Sequence, residues 1–315
     1  MLRKVIIDCD MGTDDAVALC MLLFDQRLEV VALTAVEGCV TADQANSNLQ
    51  AILGELDPQR YPRLGLASPT ENAPAVNTTY LYGEDGLGNC NLEVSSKQHV
   101  SPAEKVIIEA VRKDPGDITI ICLGPLTNIA RALRRDPAIA TMIHRLIIVG
   151  GSISGIGNIS PMAEFNFYFD PQGAREVLQS PLTKTLIPLD VTSEVAFGLD
   201  LMSELPGETS RSGFFLRQML PHAFRAFRQH LGQEAITLND AVGALALLEP
   251  ELFEFDEMAC DVETQGEMTR GVTVFDRRSR REWSSNVEVA IGVDAERARQ
   301  MLLDLLMISG KASSF

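Results

Sequence analysis

The stretch Val5-Ile6-Ile7-Asp8-Cys9-Asp10-Met11-Gly12-Thr13-Asp14-Asp15, continued by Ala16-Val17-Ala18-Leu19-Cys20-Met21-Leu22-Leu23, decides how the chain is read. A β-branched apolar run ends in a polar turn, and an uninterrupted apolar segment of helical length follows. This is a buried strand feeding a buried helix. Four carboxylates occupy the eight residues of the junction. Gathering anions beside apolar structure is costly unless a cation compensates. Helix capping by Thr13 or Asp14 with an acidic first turn accounts for one or two of them. Asp8 and Asp10 are left over, and they point to a site for a hard divalent cation such as calcium or magnesium. Asp14 and Asp15 begin the helix roughly 100° apart. Asp10 and Asp15 can therefore converge on one ion while Asp14 faces a neighbouring ligand.

Working outward, the same alternation repeats. Leu28–Ala35, 63–67, 117–123, 145–149 and 184–189 read as strands, with helices over 41–53, 101–113, 125–136 and 171–178 between them. Ser101 and Glu104 form a capping-box pattern with Pro102 at the first helical position. Segment 69–101 is long, rich in Pro, Asn and Gly, and reads as a functional or mobile loop. Beyond Asp190 the chain becomes mostly helical to 250, with Phe214, Phe215, Met219, Phe224 and Phe227 supplying bulk. Short strands at 258–264, 271–275 and 287–291 and a closing helix over 294–307 complete it. The expected fold is α/β: a mostly parallel central sheet with helices on both faces, Rossmann-like, with a helical elaboration in the C-terminal half. No break marks a linker, so residues 1–315 are read as one domain. Ligands of such sheets bind beyond the C-terminal strand ends, where Asp10, Glu37, Leu123, Gly150 and Asp190 fall.

Composition narrows the functions available. The chain has 315 residues, of which 46% are hydrophobic, enough for a large core. With 27 basic against 43 acidic residues, its formal charge is −16. That disfavours nucleic acid and anionic membranes as partners. Cys9, Cys20, Cys39, Cys90, Cys122 and Cys260 form no CxxC pair and no cluster with His, so a zinc site is not expected. Without a signal-like start or an apolar run of about 18 residues, a cytoplasmic setting is expected. The glycines of 150–157 are not followed by GK[ST], which argues against a phosphate-binding P-loop.

The segment Asp8–Leu19, DCDMGTDDAVAL, resembles the DxDPGxDDAxAL signature of the inosine–uridine nucleoside hydrolase family. Further matches follow in the family's order. They are Glu37-Gly38, GEDGLG at 83–88, LGPLTNIA at 123–130, GGS at 150–152, NISPMAEFNFYFDPQGA at 158–174, Asp240 before an apolar helix, TRGVTVFD at 269–276 and VEVAIGVD at 287–294. The resemblance spans essentially the whole chain, and it implies a calcium-dependent enzyme that cleaves ribonucleosides. On this resemblance Asp10, Asp15, the backbone carbonyl of Leu123 and Asp240 hold Ca²⁺. Asp10 also takes the proton of the attacking water. Asp14, Asn158, Glu164 and Asn166 bind and orient the ribose, and Asp8 supports them. It further implies a homodimer or homotetramer with a small-molecule nucleoside or ribose as partner. The chemistry agrees: an anionic pocket stabilises an oxocarbenium-like transition state.

Three positions depart from the family pattern. Asn239 stands where many members carry a His able to protonate a leaving purine. Cys39 replaces the Asn of an EGN pattern, and Tyr82 replaces a His before GxDG. Carboxamides are not acids near neutral pH. The sugar side therefore matches while the base side is altered. Tyr82, His222, His230, Arg225 and Arg228 are the candidates for contact with the base, and Asn239 is expected to face it. Two readings follow: a nucleoside hydrolase of atypical base specificity, or a catalytically silent ribose- or nucleoside-binding relative. A third, the haloacid-dehalogenase-type phosphatase suggested by a strand followed by DxD, wants Thr or Val where the chain has Gly12.

Overall fold

A computed structural model describes residues 2–94 and 99–315. In chain order come β1 (Arg3–Cys9), α1 (Thr13–Leu22), β2 (Leu28–Ala35), α2 (Ala42–Leu56), β3 (Arg63–Leu66), α3 (Thr79–Tyr82), β4 (Val100–Pro102) and α4 (Ala103–Lys113). Next are β5 (Ile118–Cys122), α5 (Thr127–Arg135), β6 (Arg145–Val149), α6 (Phe165–Phe169), α7 (Pro171–Gln179), β7 (Lys184–Ile187) and α8 (Leu189–Thr192). The last third holds β8 (Ala196–Phe197), α9 (Leu201–Glu204), α10 (Arg211–Ala226), β9 (Ile236–Thr237), α11 (Asn239–Leu248), β10 (Phe253–Met258), β11 (Cys260–Val262), β12 (Thr273–Phe275), β13 (Val287–Val293) and α12 (Ala295–Ala312).

Nine strands form one sheet in the order β10-β13-β7-β6-β5-β1-β2-β3-β4, parallel throughout except where β10 runs antiparallel to β13. Side chains alternate across it as strand geometry requires. Val5, Ile7 and Cys9 enter the core on one face, with residues of α1, α2, α10, α11 and α12. Ile6, Ile120 and Cys122 enter the core on the other face, with residues of α4, α5 and α7. Because both faces are covered, β1 and β5 can be apolar on consecutive residues. The cores are tight: Ile6 and Ile120 are fully buried, so truncating either to Ala costs about 2–5 kcal/mol.

Helix α1 is buried on nearly every side, with only Asp14 half-open. It lies against the sheet and packs on α10, α11 and α12. An all-round apolar sequence is the consequence of that position.

Two details differ from the sequence reading. Ser101 belongs to strand β4, and α4 starts after Pro102 with no side-chain cap. Pairing with β3 takes the backbone that a capping box would have used. The strand expected at 258–264 is two strands. β10 lies earlier, and β11 forms a separate hairpin with β12. The 69–101 segment is largely irregular as expected, apart from α3 and β4; its residues 95–98 lie outside the described set.

Candidate active site

The C-terminal ends of β1, β5, β6 and β7 meet at one cleft, as a parallel sheet predicts. Its inner part is lined by Asp10, Asp14, Cys39, Tyr82, Leu123, Val149, Gly150, Asn158, Glu164, Phe165, Asn166, Leu189, Thr192, Asn239 and Asp240. An outer cavity of about 530 Å³ shares Tyr82, Asn158, Phe165, Leu189 and Asn239 with it. Asp10, Asp14, Asn158, Glu164, Asn166, Leu123 and Asp240, singled out from sequence, all line the inner cleft.

The turn after β1 is built to aim carboxylates. Met11 adopts φ 63°, an uncommon conformation for a bulky side chain. Asn48 of α2 steadies it by donating from Nδ2 to the Met11 carbonyl (3.1 Å) and to the Asp85 carbonyl (2.8 Å). Asp15 accepts the Gly12 amide at 2.8 Å, so one oxygen serves the start of α1. Its other oxygen, Oδ1, is buried without a hydrogen-bond partner. Asp10 accepts the Cys39 amide at 2.7 Å. Glycines pack close on Asp10: a Cβ at Gly38 would lie 2.2 Å from Asp10 Oδ2, and one at Gly124 would lie 2.9 Å from the Asp10 amide.

Charge is concentrated and uncompensated here. Asp10, Asp15 and Cys39 present ligand atoms within 4.8 Å of one another, as do Asp14, Asp15 and Asp240. Among the described residues, no Lys, Arg or His forms an ion pair with Asp8, Asp10, Asp14, Asp15 or Asp240. Burial, then the charge of Asp10, raises the Asp14 carboxyl to about 6. Burial and the neighbouring carboxylates push Asp15 and Asp240 well above the usual range. Asp8, wholly buried beneath the cleft, rises to about 7 by burial, although Thr34 and Asn128 donate to its Oδ1. Its Oδ2 is also unpartnered. The residues present therefore fit a hard divalent cation. The donors are carboxylates, one of them carries an orphaned buried oxygen, and the nearby Cys39 thiol is turned to the Asp10 carbonyl at 3.4 Å.

The opposite wall comes from the loop after β6 and from α6. Glu164 caps α6, its carboxylate accepting the amides of Asn166 (2.9 Å), Gly151 (2.8 Å) and Phe167 (3.3 Å). Burial nevertheless raises it to about 7. Asn158 Oδ1 accepts the Phe165 amide at 2.9 Å, which leaves its NH₂ free for the cleft. Asn166 is used the other way round. Its Nδ2 donates to the carbonyls of Leu123 (2.7 Å) and Val149 (3.0 Å), leaving Oδ1 as an acceptor. One donor group and two acceptor groups thus line a wall that faces the acidic cluster.

The base-side expectations separate. Tyr82, at the end of α3, lines both cavities, and burial followed by the charges of Asp14, Cys39, Asp10 and Asp240 pushes its phenol well up. Asn239 opens α11 and lines both. His222, expected at the base, lines neither cavity. It packs against Gly88 with Nε2 buried and unpartnered, because α10 turns that face toward the 83–91 loop. His230 lies edge-on to Tyr80 at 5.4 Å and lines neither cavity. Arg228 pairs with Glu234 on the surface, and Arg225 is exposed. Sequence reasoning missed Thr192, whose hydroxyl donates to Asn239 Oδ1 at 3.0 Å. It also missed Asp190 as a brace, accepting the Ile153 and Ser154 amides at 2.7 and 2.8 Å. Their only signal was position, just past the end of β7.

Residues 5–300 match the family model described as inosine-uridine preferring nucleoside hydrolase. The chain belongs to this family. Among its relatives, the non-specific ribonucleoside hydrolase RihC of Salmonella paratyphi B is 32% identical over 302 residues, 96% of either chain. Of solved structures, the plant nucleoside hydrolase PpNRh1 superposes with a TM-score of 0.91 at 30% identity, covering 98% of this chain and 99% of that one. A purine-preferring ribonucleoside hydrolase from Gardnerella vaginalis gives 0.89 at 26%, covering 98% and 99%. As a nucleoside hydrolase family member, the protein is a hydrolase of N-glycosyl bonds, and its cleft holds acidic residues able to bind a metal. Among the described residues, no helix is long and apolar enough to cross a membrane.

Proposed function

We propose that the protein hydrolyses a ribonucleoside to ribose and free base at the inner cleft, using Ca²⁺. One observation carries this reading: a cluster of uncompensated carboxylates faces a wall made of Asn158, Glu164 and Asn166. Asp10, Asp15, Asp240 and the Leu123 carbonyl hold the cation, which when bound offsets their charge and makes water a stronger acid. Calcium suits them because it accepts many oxygen ligands in flexible geometry.

The chain's own groups do the rest. Asp10, held by the Cys39 amide, takes the proton of the attacking water. Asp14, projecting from the first turn of α1, accepts a ribose hydroxyl and orients the sugar. The Asn158 amide donates to ribose oxygens, while Asn166 Oδ1 and Glu164 accept from its hydroxyls. Their partial and full negative charges favour the cationic character that develops at C1′. The outer cavity, walled by Tyr80, Tyr82, Phe165, Phe227 and Leu231, takes the base. A planar apolar ring suits such walls. The base specificity is atypical because Asn239, Cys39 and Tyr82 replace the family's usual residues, Asn239 and Tyr82 lining both cavities and Cys39 the inner cleft. The chain acts as one domain, in a cytoplasmic homodimer or homotetramer, with no nucleic acid or membrane partner.

Incubation with a panel of nucleosides and calcium, following reducing sugar, tests the proposal; no ribose from any nucleoside refutes it. A second reading, a silent ribose or nucleoside binder, is favoured by the lack of any His among the described residues of the cleft. Calorimetry showing nucleoside binding without turnover would select it.

A further inference from the structure

Lys184 opens β7 at the end of the sheet away from the cleft, which lies beyond the strands' C-terminal ends. It is only 4% exposed and shares a face of the sheet with Leu186. Lysine is almost never fully buried unless it is paired. Yet among the described residues Lys184 forms no ion pair. Its Nζ donates instead to two backbone carbonyls in the connection between α7 and β7, those of Ser180 (2.7 Å) and Leu182 (3.0 Å). A surface lysine caps a helix end in much the same way, but with its remaining N–H in water.

Two acceptors match a neutral amine. An NH₂ group has two N–H bonds to give, and both are used. The nitrogen's last position carries a lone pair in the amine, which needs no partner. In the ammonium it carries a third N–H, for which the described residues supply no acceptor. Burial accordingly lowers the Lys184 amine to about 8. Lysines desolvated in this way serve as nucleophiles. Lys184 also lines a cavity of about 440 Å³, through which a small molecule reaches it. The charged groups there are Arg145 of β6, Glu257 of β10 and Glu288 of β13. Arg145 is held by Glu288 at 2.6 Å, which leaves Glu257 in excess. Such walls suit an uncharged visitor better than an anion.

We propose that Lys184 is an acylation site, its amine accepting a short acyl group from a small uncharged thioester. The amine lone pair attacks the acyl carbon and forms the C–N bond. The C–S bond breaks with its electron pair passing to sulfur, and the amine proton goes to the departing thiolate. The products are a neutral amide on Lys184 and a free thiol. The amide nitrogen keeps one N–H, so one of the Ser180 and Leu182 carbonyls loses its donor and the connection between α7 and β7 is loosened. The site is independent of the cleft and of the nucleoside chemistry proposed there.

The test treats the folded full chain with N,S-diacetylcysteamine, a small uncharged thioester, and follows each lysine by peptide mass spectrometry. Lys105, Lys113 and Lys311, all exposed, are the internal standards. At pH 7.5 an amine titrating at about 8 is roughly a quarter neutral, against about 0.1% for an ordinary lysine. Lower basicity weakens each neutral amine as a nucleophile, as it does for thiols, and about tenfold of that gain remains. Lys184 is therefore acetylated about tenfold faster than the three standards. Its rate levels off above about pH 8 while theirs keeps climbing, and the preference disappears in denaturant. Acetyl phosphate, an anion, gives a smaller preference. A Lys184 rate no greater than that of the standards, or one still climbing at pH 10, overturns the proposal. A preference as large with acetyl phosphate overturns the choice of an uncharged donor.

Discussion

Removing divalent cations should destabilise the protein, and increasingly so as pH rises. Burial holds Glu164 at about 7 against 4.5 for the free group, and Asp8 at about 7 against 3.8. A raised carboxyl lets the folded chain keep a proton that the unfolded chain has released. Stability from such a group is fully present below its unfolded pKa and is lost as pH climbs through the folded one. For these two groups the loss therefore runs between about pH 4 and about pH 7. At about 1.4 kcal/mol per unit, Glu164 alone contributes on the order of 3 kcal/mol. An entropy of unfolding of about 2.1 cal/mol/K per residue converts that into roughly 5 °C of Tm for a chain of this length. With Asp8 added, chelated protein should melt roughly 10 °C lower near pH 8 than the same groups permit near pH 5. Calcium at about a hundred times its Kd restores about 2.7 kcal/mol, roughly 4 °C, near pH 8, and less near pH 5, where protons compete. Thermal unfolding by circular dichroism with chelator and with calcium, at both pH values, measures this. A Tm indifferent to calcium near pH 8, or a calcium shift equal at both, refutes the reasoning.

Other perturbations give separate readouts. Gly38→Ala places a Cβ against Asp10 Oδ2 and must move that carboxylate; a folded variant with turnover reduced about a hundredfold is expected in steady-state assays. Asn128→Ala strips donors from the Asp8 carboxylate and the Ala35 carbonyl, both buried, and should cost about 2–3 kcal/mol in denaturant unfolding. Asn239→His supplies a general acid at the base end, and purine hydrolysis should rise at least about tenfold; an unchanged purine rate would mean that the acid is not what limits it.

Much of this architecture could be read from pattern alone. The bounds of β2 and β6 coincide with the apolar runs that announce them, because both strands are buried on two faces. β10 escaped notice because it is an antiparallel edge strand whose Glu254, Asp256 and Glu257 dilute the apolar signal. β4 has three residues, and its Ser-Pro sequence imitates a helix start. On the sugar side, the acidic turn makes Asp10 and Asp14 legible from local pattern, whereas Asn158 and Glu164 are legible only through the family resemblance; all four line the inner cleft. On the base side the decisive contacts join distant segments. Thr192 meets Asn239 across 47 positions, and His222 is carried away from the cleft by the orientation of α10. No local pattern encodes either fact.

The most direct test of the account is ribose release from a nucleoside panel with calcium, run beside Asp10→Ala. The account predicts ribose from at least one nucleoside by the wild type, abolished in Asp10→Ala together with weakened calcium binding. Ribose release that survives in Asp10→Ala, or that never occurs in the wild type, would contradict it.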